Sequence, residues 1–279
     1  MKPAPQFSAM PASFWAHVKL VSEGLGYSGK AAKGAPKPLR RYTLPEVRAL
    51  FEKLSLTGDH LAVIGPSGPF GQQLCDYLNL RSEALERQVA PALMNRDEAR
   101  AEFERLRALH SPRCLLPMNK QKGEKRHNAY LAGIVNILTE EGLGTKPFNG
   151  NPLGLTTITR DGVPLRTLSR RMDGAYPDIV NPHAVWEVKE YYGTTTFGSR
   201  VADGVYETML DGFELAELLE HEKRKVLHYL IVDDRFTWWD CGRSYLCRIV
   251  DMLHMGLVDE VLFGREVLTR WPAIVQAWP

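Results

Sequence analysis

In the run Tyr176-Pro-Asp-Ile-Val-Asn-Pro-His-Ala-Val-Trp-Glu-Val-Lys189, two short segments rich in β-branched and aromatic residues flank a proline-bearing turn. Asn181-Pro182-His183-Ala184 has turn composition, with proline preset for the second position. Asp178–Asn181 and Ala184–Glu190 are therefore predicted to be the strands of a hairpin. With Pro182 and His183 as its loop, Val180 faces Val185 and Asp178 faces Glu187. Side chains opposed in this way have Cβ atoms about 4.5–5.5 Å apart. Lys189 lies two residues beyond Glu187 and points to the same face. The predicted hairpin gathers two carboxylates and one ammonium.

Facing carboxylates repel unless something compensates them. Mg2+ does so with oxygen ligands from one or two carboxylates, and it keeps waters for substrate phosphates. A lysine beside it cannot ligate, but it can orient or deprotonate a water and counter phosphate charge. Such a set suits in-line attack of water on a phosphodiester. The plainer alternative is a surface hairpin in which Lys189 pairs with a carboxylate. Asp173, in Arg171-Met-Asp-Gly, rivals Asp178 for the first position, but Gly174 after it predicts a turn, so Asp178 is preferred.

Upstream, residues 124–141 read as a helix ended by Gly142 and Gly144. Leu155–Thr159 and Val163–Ser169 read as strands joined at Asp161-Gly162. Downstream, Ser199 can cap a helix reaching Glu222, with Val201, Val205, Met209 and Ala216 on one stripe. Val226–Val232 reads as a strand buried on both faces. A helix (Tyr245–Met255), a strand (Val258–Phe263) and a last helix (Arg265–Val275, containing Pro272) follow. This order predicts an α/β domain over residues 111–279, a central mixed sheet flanked by helices. Residues 1–110 read as a mostly helical region. Residues 1–35 look loose, Thr43 caps a short helix with Glu46 in the box position, and a second helix covers Asn95–Leu109. The glycine-rich Ile64–Gln73 lacks the GK[ST] ending of a phosphate loop and reads as a plain turn.

The chain has 279 residues, 44% hydrophobic and 24% charged, which is ordinary for a soluble protein. No apolar run approaches the roughly 20 residues of a membrane span, and no apolar leader opens the chain, so a cytoplasmic protein without membrane contact is expected. Four cysteines without a CxxC predict reduced thiols. The histidines form no HxH or HExxH pattern, and Trp238-Trp239 is read as packing. The net charge of +2 hides an uneven distribution. Residues 1–50 carry eight Lys/Arg against Glu23 and Glu46. Lys120, Lys122, Lys125 and Arg126 form a second basic group with Arg113, and Arg160, Arg166, Arg170 and Arg171 follow. Such asymmetry fits a polyanion partner or a solvated face.

Pro177-Asp178, eight residues, then Glu187-Val188-Lys189 resembles the signature of the PD-(D/E)XK, or restriction-endonuclease-like, nucleases. The order of helix, motif-bearing strands, helix and strand over about residues 120–235 is similar to their core. The resemblance implies a Mg2+-dependent endonuclease on duplex DNA, most like a type II restriction enzyme, with Mn2+ able to substitute and a homodimer when both strands are cut. It implies Asp178, Glu187 and the Val188 carbonyl as metal ligands, Lys189 as the water-assisting residue, and Glu124 as an added acidic residue on the preceding helix. Lys120, Lys122, Lys125, Arg126, Arg170 and Arg171 would grip the backbone. Thr195, Ser199 and Arg200 belong to a Thr- and Gly-bearing stretch that is either a phosphate-positioning loop or an ordinary connection. A repair or resolvase-like nuclease and a non-catalytic DNA-binding protein are the alternatives.

Overall fold

The computed structural model describes residues 1–8, 10–29, 37–65, 68–119, 127–192 and 199–279. The N-terminal part is helical: α1 (Ala12–Leu25), α2 (Leu44–Lys53) and α3 (Phe70–Ala84). Thr43 and Glu46 form the expected capping box on α2. Between α2 and α3, the glycine-rich segment folds as a short hairpin, β1 (Ile64–Gly65) with β2 (Gly68–Pro69). The expectation of a loose residue 1–35 stretch is corrected by α1. Its Phe14, Trp15, Val18 and Val21 stand at helical spacing and are buried against α2 and α3. Burial of four such side chains stabilises the segment by several kcal/mol, at about 1.5–3 kcal/mol each. A π-helical turn (Leu85–Val89) and α4 (Ala90–Ala92) lead to α5 (Arg96–His110), which Asn95 caps through the Glu98 N–H.

α6 spans Tyr130–Leu143 and begins later than the sequence predicts. Residues 127–129 are instead tied to 117–119: the Asn119 N–H donates to His127 and the Ala129 N–H to Pro117. β3 (Thr157–Arg160) and β4 (Val163–Thr167) form the expected hairpin, with Asp161 and Gly162 both at positive φ, as a separate two-stranded sheet.

The central sheet has the order β5 (Gly174–Tyr176), β6 (Ala184–Glu190), β7 (Leu227–Asp233) and β8 (Glu260–Phe263). β5 runs antiparallel to β6, while β6, β7 and β8 are parallel. α7 (Ser199–Glu222) connects β6 to β7, and α8 (Arg243–His254) connects β7 to β8. α9 (Glu266–Gln276) follows and keeps Pro272 within it. Strand alternation divides the core. Trp186, Tyr229, Ile231 and Leu262 pack on α6 and α9, and Leu230, Val232, Val261 and Phe263 pack on α7 and α8. The fold is a mixed α/β domain with a four-stranded sheet between helical layers.

Arg81 on α3 is fully buried and joins the N-terminal helices to α8. Its Nη1 donates to both Asp251 oxygens at 3.0 and 2.8 Å, and its Nη2 donates to Ser22. Among the described residues no helix is long and apolar enough to cross a membrane.

Candidate functional site

The β5–β6 register differs from the sequence expectation. Gly174 pairs with Trp186, Ala175 with Val185 and Tyr176 with Ala184, so the loop is the seven residues from Pro177 to His183. Pro177 has no N–H for a ladder, and Asn181 adopts a left-handed φ of 52°. Asp178 therefore lies in an exposed loop and does not face Glu187. Its Oδ1 accepts from Asn149 Nδ2 at 2.8 Å and from the Ile179 N–H at 2.7 Å, which hold its pKa below the usual aspartate value. It borders a separate open groove with Asn149, Lys146 and Arg113.

Asp173 takes the place predicted for Asp178. One residue before β5, its N–H donates to the Trp186 carbonyl at 3.1 Å and its Oδ2 accepts from the Val188 N–H at 2.9 Å. Gly174 is a strand residue here, not a turn: a Cβ on it would meet the Trp186 indole at 1.9 Å. Because β5 starts only at Gly174, the β6 edge at Val188 is met by the Asp173 side chain and not by a β5 ladder residue. A strand residue's C=O and N–H point to the same side, so the Val188 carbonyl is directed to that edge.

Glu187 and Lys189 share the sheet face beneath α7, as predicted. Glu187 is fully buried and Lys189 is 8% exposed. Lys189 Nζ donates to Glu187 Oε2 at 2.7 Å and to Glu207 Oε2 on α7 at 3.3 Å. Burial alone would lower the Lys189 pKa, but the Glu187 and Asp173 carboxylates outweigh it and raise the pKa above lysine's usual value. Gly204 permits the close approach of α7: a Cβ there would meet the Tyr191 hydroxyl at 2.7 Å and Lys189 Cδ at 3.4 Å.

Arg170, expected on phosphate, is paired with three carboxylates. Its Nη1 lies 3.1 Å from Glu187 Oε1 and 2.7 Å from Asp211 Oδ2, and its Nη2 lies 3.0 Å from Glu207 Oε2. Asp211 is fully buried, and burial together with Glu187 pushes its pKa up to about 7 against the pull of Arg170. Glu207 and Asp211 lie 37 and 41 residues from Arg170, and no local pattern in the sequence signals the pairing.

A cleft of about 350 Å³ opens at the uncovered β6 edge, lined by Asp173, Val188, Glu190, Arg200, Asp203 and Glu207 among others. Glu190 Oε2 accepts from the Leu131 N–H of α6 at 2.7 Å. Burial, reinforced by Asp233 and Asp173, raises its pKa to about 8 despite that hydrogen bond. Arg200 is exposed at the cleft, and Arg171 is exposed beside Arg170. Ser199 begins α7. Lys120, Lys122, Glu124, Lys125, Arg126 and Thr195 lie outside the described residues; Asn119, just before the basic segment, lines the cleft. Among the described residues, no group of three or more His, Cys, Asp or Glu side chains stands ready to hold a metal ion.

Fold and site thus define a mixed α/β domain with a buried, charged strand–helix junction beside an open cleft. The chain belongs to the family of a domain of unknown function, DUF7687, whose family model matches residues 94–278. The model of a second domain of unknown function, DUF7690, matches residues 1–88. No curated protein and no solved structure matches the chain.

Proposed function

We propose that the chain is a Mg2+-dependent DNA endonuclease on a restriction-endonuclease-like core, similar to type II restriction enzymes, that hydrolyses phosphodiester bonds in duplex DNA. The observation that carries this reading is Asp173 fastened to Val188 within Glu187-Val188-Lys189, at an edge that opens into a cleft. It replaces Asp178 by Asp173 in the acidic pair and keeps Glu187 and Lys189.

The donor set fits the ion. Asp173, Glu187 and the Val188 carbonyl are hard oxygen donors of the kind Mg2+ prefers. When ionised, Asp173, Glu187, Glu207 and Asp211 exceed Arg170 and Lys189 by two charges, which one divalent cation offsets. The ion would supply charge stabilisation at the phosphoryl oxygens and lower the pKa of a bound water. Glu187 would have to exchange a present partner, Lys189 or Arg170, to take part. With its raised pKa, Lys189 stays an ammonium at neutral pH. Its role is to hold a water or a phosphate oxygen, not to remove a proton. Arg200 at the cleft, and the basic segment that follows Asn119, supply phosphate contacts. Cutting both strands of a duplex, in the cytoplasm, would call for a homodimer with two such sites.

One observation favours a second reading. Glu187, Lys189, Arg170, Glu207 and Asp211 already pair with one another across the β6–α7 junction, which suits a structural hub on a non-catalytic DNA-binding protein. Incubation with long duplex DNA and Mg2+ or Mn2+, followed by end sequencing, separates the two. Metal-dependent ends from wild type and none from Asp173→Asn support the nuclease. No cleavage by folded wild-type protein overturns it.

A further inference from the structure

Outside the cleft, the N-terminal helices bring two imidazoles nose to nose. His17 on α1 and His60, in the 3-10 turn Asp59–Ala62, place their Nε2 atoms 2.7 Å apart. His17 Nδ1 lies 2.7 Å from the Ser13 carbonyl, and since a carbonyl only accepts, that nitrogen carries hydrogen. In the tautomer with hydrogen on Nδ1 alone, His17 offers a lone pair at Nε2 and His60 Nε2–H donates to it. The rings are held by packing: Phe51 stacks on His17 at 5.7 Å and 14°, and Phe70 meets it edge-on at 4.9 Å. Both histidines are half-buried.

We propose that His17 and His60 form a two-histidine transition-metal site, taking Zn2+ or a similar borderline cation through both Nε2 atoms and leaving the remaining positions to water. The arrangement has what such ligands require. Two nitrogens converge on one point, and a second ring nitrogen donates to a carbonyl, which fixes tautomer and ring orientation. Metal–nitrogen bonds of about 2.0–2.1 Å at a tetrahedral angle need the nitrogens about 3.3 Å apart, so the pair must open by about 0.6 Å. The shift falls on His60, which is half-buried in the one-turn segment Asp59–Ala62 beside the buried Leu61. Proton balance is simple. The hydrogen leaves His60 Nε2 and His60 Nδ1 is protonated, so both rings stay neutral and no net proton is released.

The test is calorimetric titration of the full chain with Zn2+ alone, in excess Mg2+ to occupy carboxylate sites. Wild type should bind one Zn2+ saturably and melt at a higher temperature with it. His17→Gln and His60→Gln should each weaken binding at least about tenfold, while His110→Gln, at a histidine elsewhere on the surface, should leave it unchanged. A second readout needs no variant: Zn2+ should shift the Nε2 resonances of His17 and His60 in a long-range 15N–1H spectrum of the wild type. Absence of saturable binding, or binding that leaves those resonances unmoved, overturns the site.

Discussion

The Asp173 carboxylate accepts the Val188 N–H at 2.9 Å, so the residue preceding β5 is clipped to the middle of Glu187-Val188-Lys189. Asp178, five positions on, is bound to Asn149 in an exposed loop. The two aspartates should therefore behave differently. Asp173→Asn should abolish metal-dependent cleavage of duplex DNA, and Asp178→Asn should retain it within a few-fold. Single-turnover cleavage in Mg2+ measures both, and loss of activity in Asp178→Asn alone would return the metal site to the loop.

Much of the sheet could be read from the chain because the relevant signals are local. The apolar run of β7, the Asp161-Gly162 turn and the helical stripe of α7 each carry their own pattern. The hairpin slipped because Asn181-Pro182-His183-Ala184 has turn composition, while the true loop is set by Pro177, which has no N–H to donate, and by the left-handed Asn181. Gly174 looked like a turn, yet it is glycine to admit the Trp186 indole, a contact made across the ladder. α1 was hidden by the basic, proline-bearing stretch after it, although Phe14, Trp15, Val18 and Val21 had helical spacing. Arg170 reaches α7 through tertiary packing, which no window of sequence contains.

Arg170 and Arg200 should separate stability from DNA contact. Arg170→Ala leaves buried Glu187 and Asp211 short of a counter-charge and should lower the denaturation midpoint markedly, because breaking a buried pair costs about 3–5 kcal/mol. Arg200→Ala, at an exposed position, should leave the midpoint within about 0.5 kcal/mol. It should also reduce the slope of log K against log salt by about 0.9 if it neutralises one phosphate. Urea melts and binding to a duplex at several salt concentrations test the pair.

Glu190 predicts a pH dependence. Its folded pKa of about 8 exceeds that of an unfolded glutamate, so the native state holds the proton more tightly. Its stabilising share is complete below the unfolded value and is lost as pH rises through about 8, at up to about 1.4 kcal/mol per pH unit within that window. Glu190→Gln does not titrate and still accepts the Leu131 N–H. The variant should match wild type near pH 5 and exceed it in stability at pH 9. Parallel denaturation curves across that range would refute the assignment.

The buried Arg81–Asp251 pair predicts that the N-terminal helices and the sheet domain unfold together. Arg81→Met should lower stability by about 3–5 kcal/mol, because buried Asp251 loses its counter-charge and keeps only the Tyr77 hydroxyl donating to it at 2.6 Å. Arg81→Met with Asp251→Leu should recover part of the loss, since apolar groups can replace a buried pair while the Tyr77 hydroxyl is left without its acceptor. Removal of residues 1–35 takes α1 away and should unfold more than a tail. Chemical denaturation followed by fluorescence and by far-UV dichroism checks whether the transitions coincide.

Lys189 tests catalysis against architecture in one residue. Its ammonium is buried, bonded to Glu187 at 2.7 Å, and shares Glu207 with Arg170, so truncation disturbs the fold as well as the chemistry. Lys189→Met should lower stability by about 3 kcal/mol, the lower end for a broken buried pair because Arg170 still faces Glu187. For a chain of this size that is a melting shift of about 6–12 °C. Activity measured per folded molecule, well below the melting point, should still fall by about two to three decades if the ammonium stabilises charge at the phosphate, as preorganised electrostatic contacts do. Lys189→Arg should also be slow, since a planar guanidinium cannot occupy the pocket of a compact ammonium. The deciding variant is Lys189→Met with Glu187→Leu, which removes both charges. Recovered melting temperature with no cleavage means that the pair serves the reaction and that the fold can do without it. Recovered melting temperature with wild-type cleavage would show that the junction is structural and that any hydrolysis occurs elsewhere.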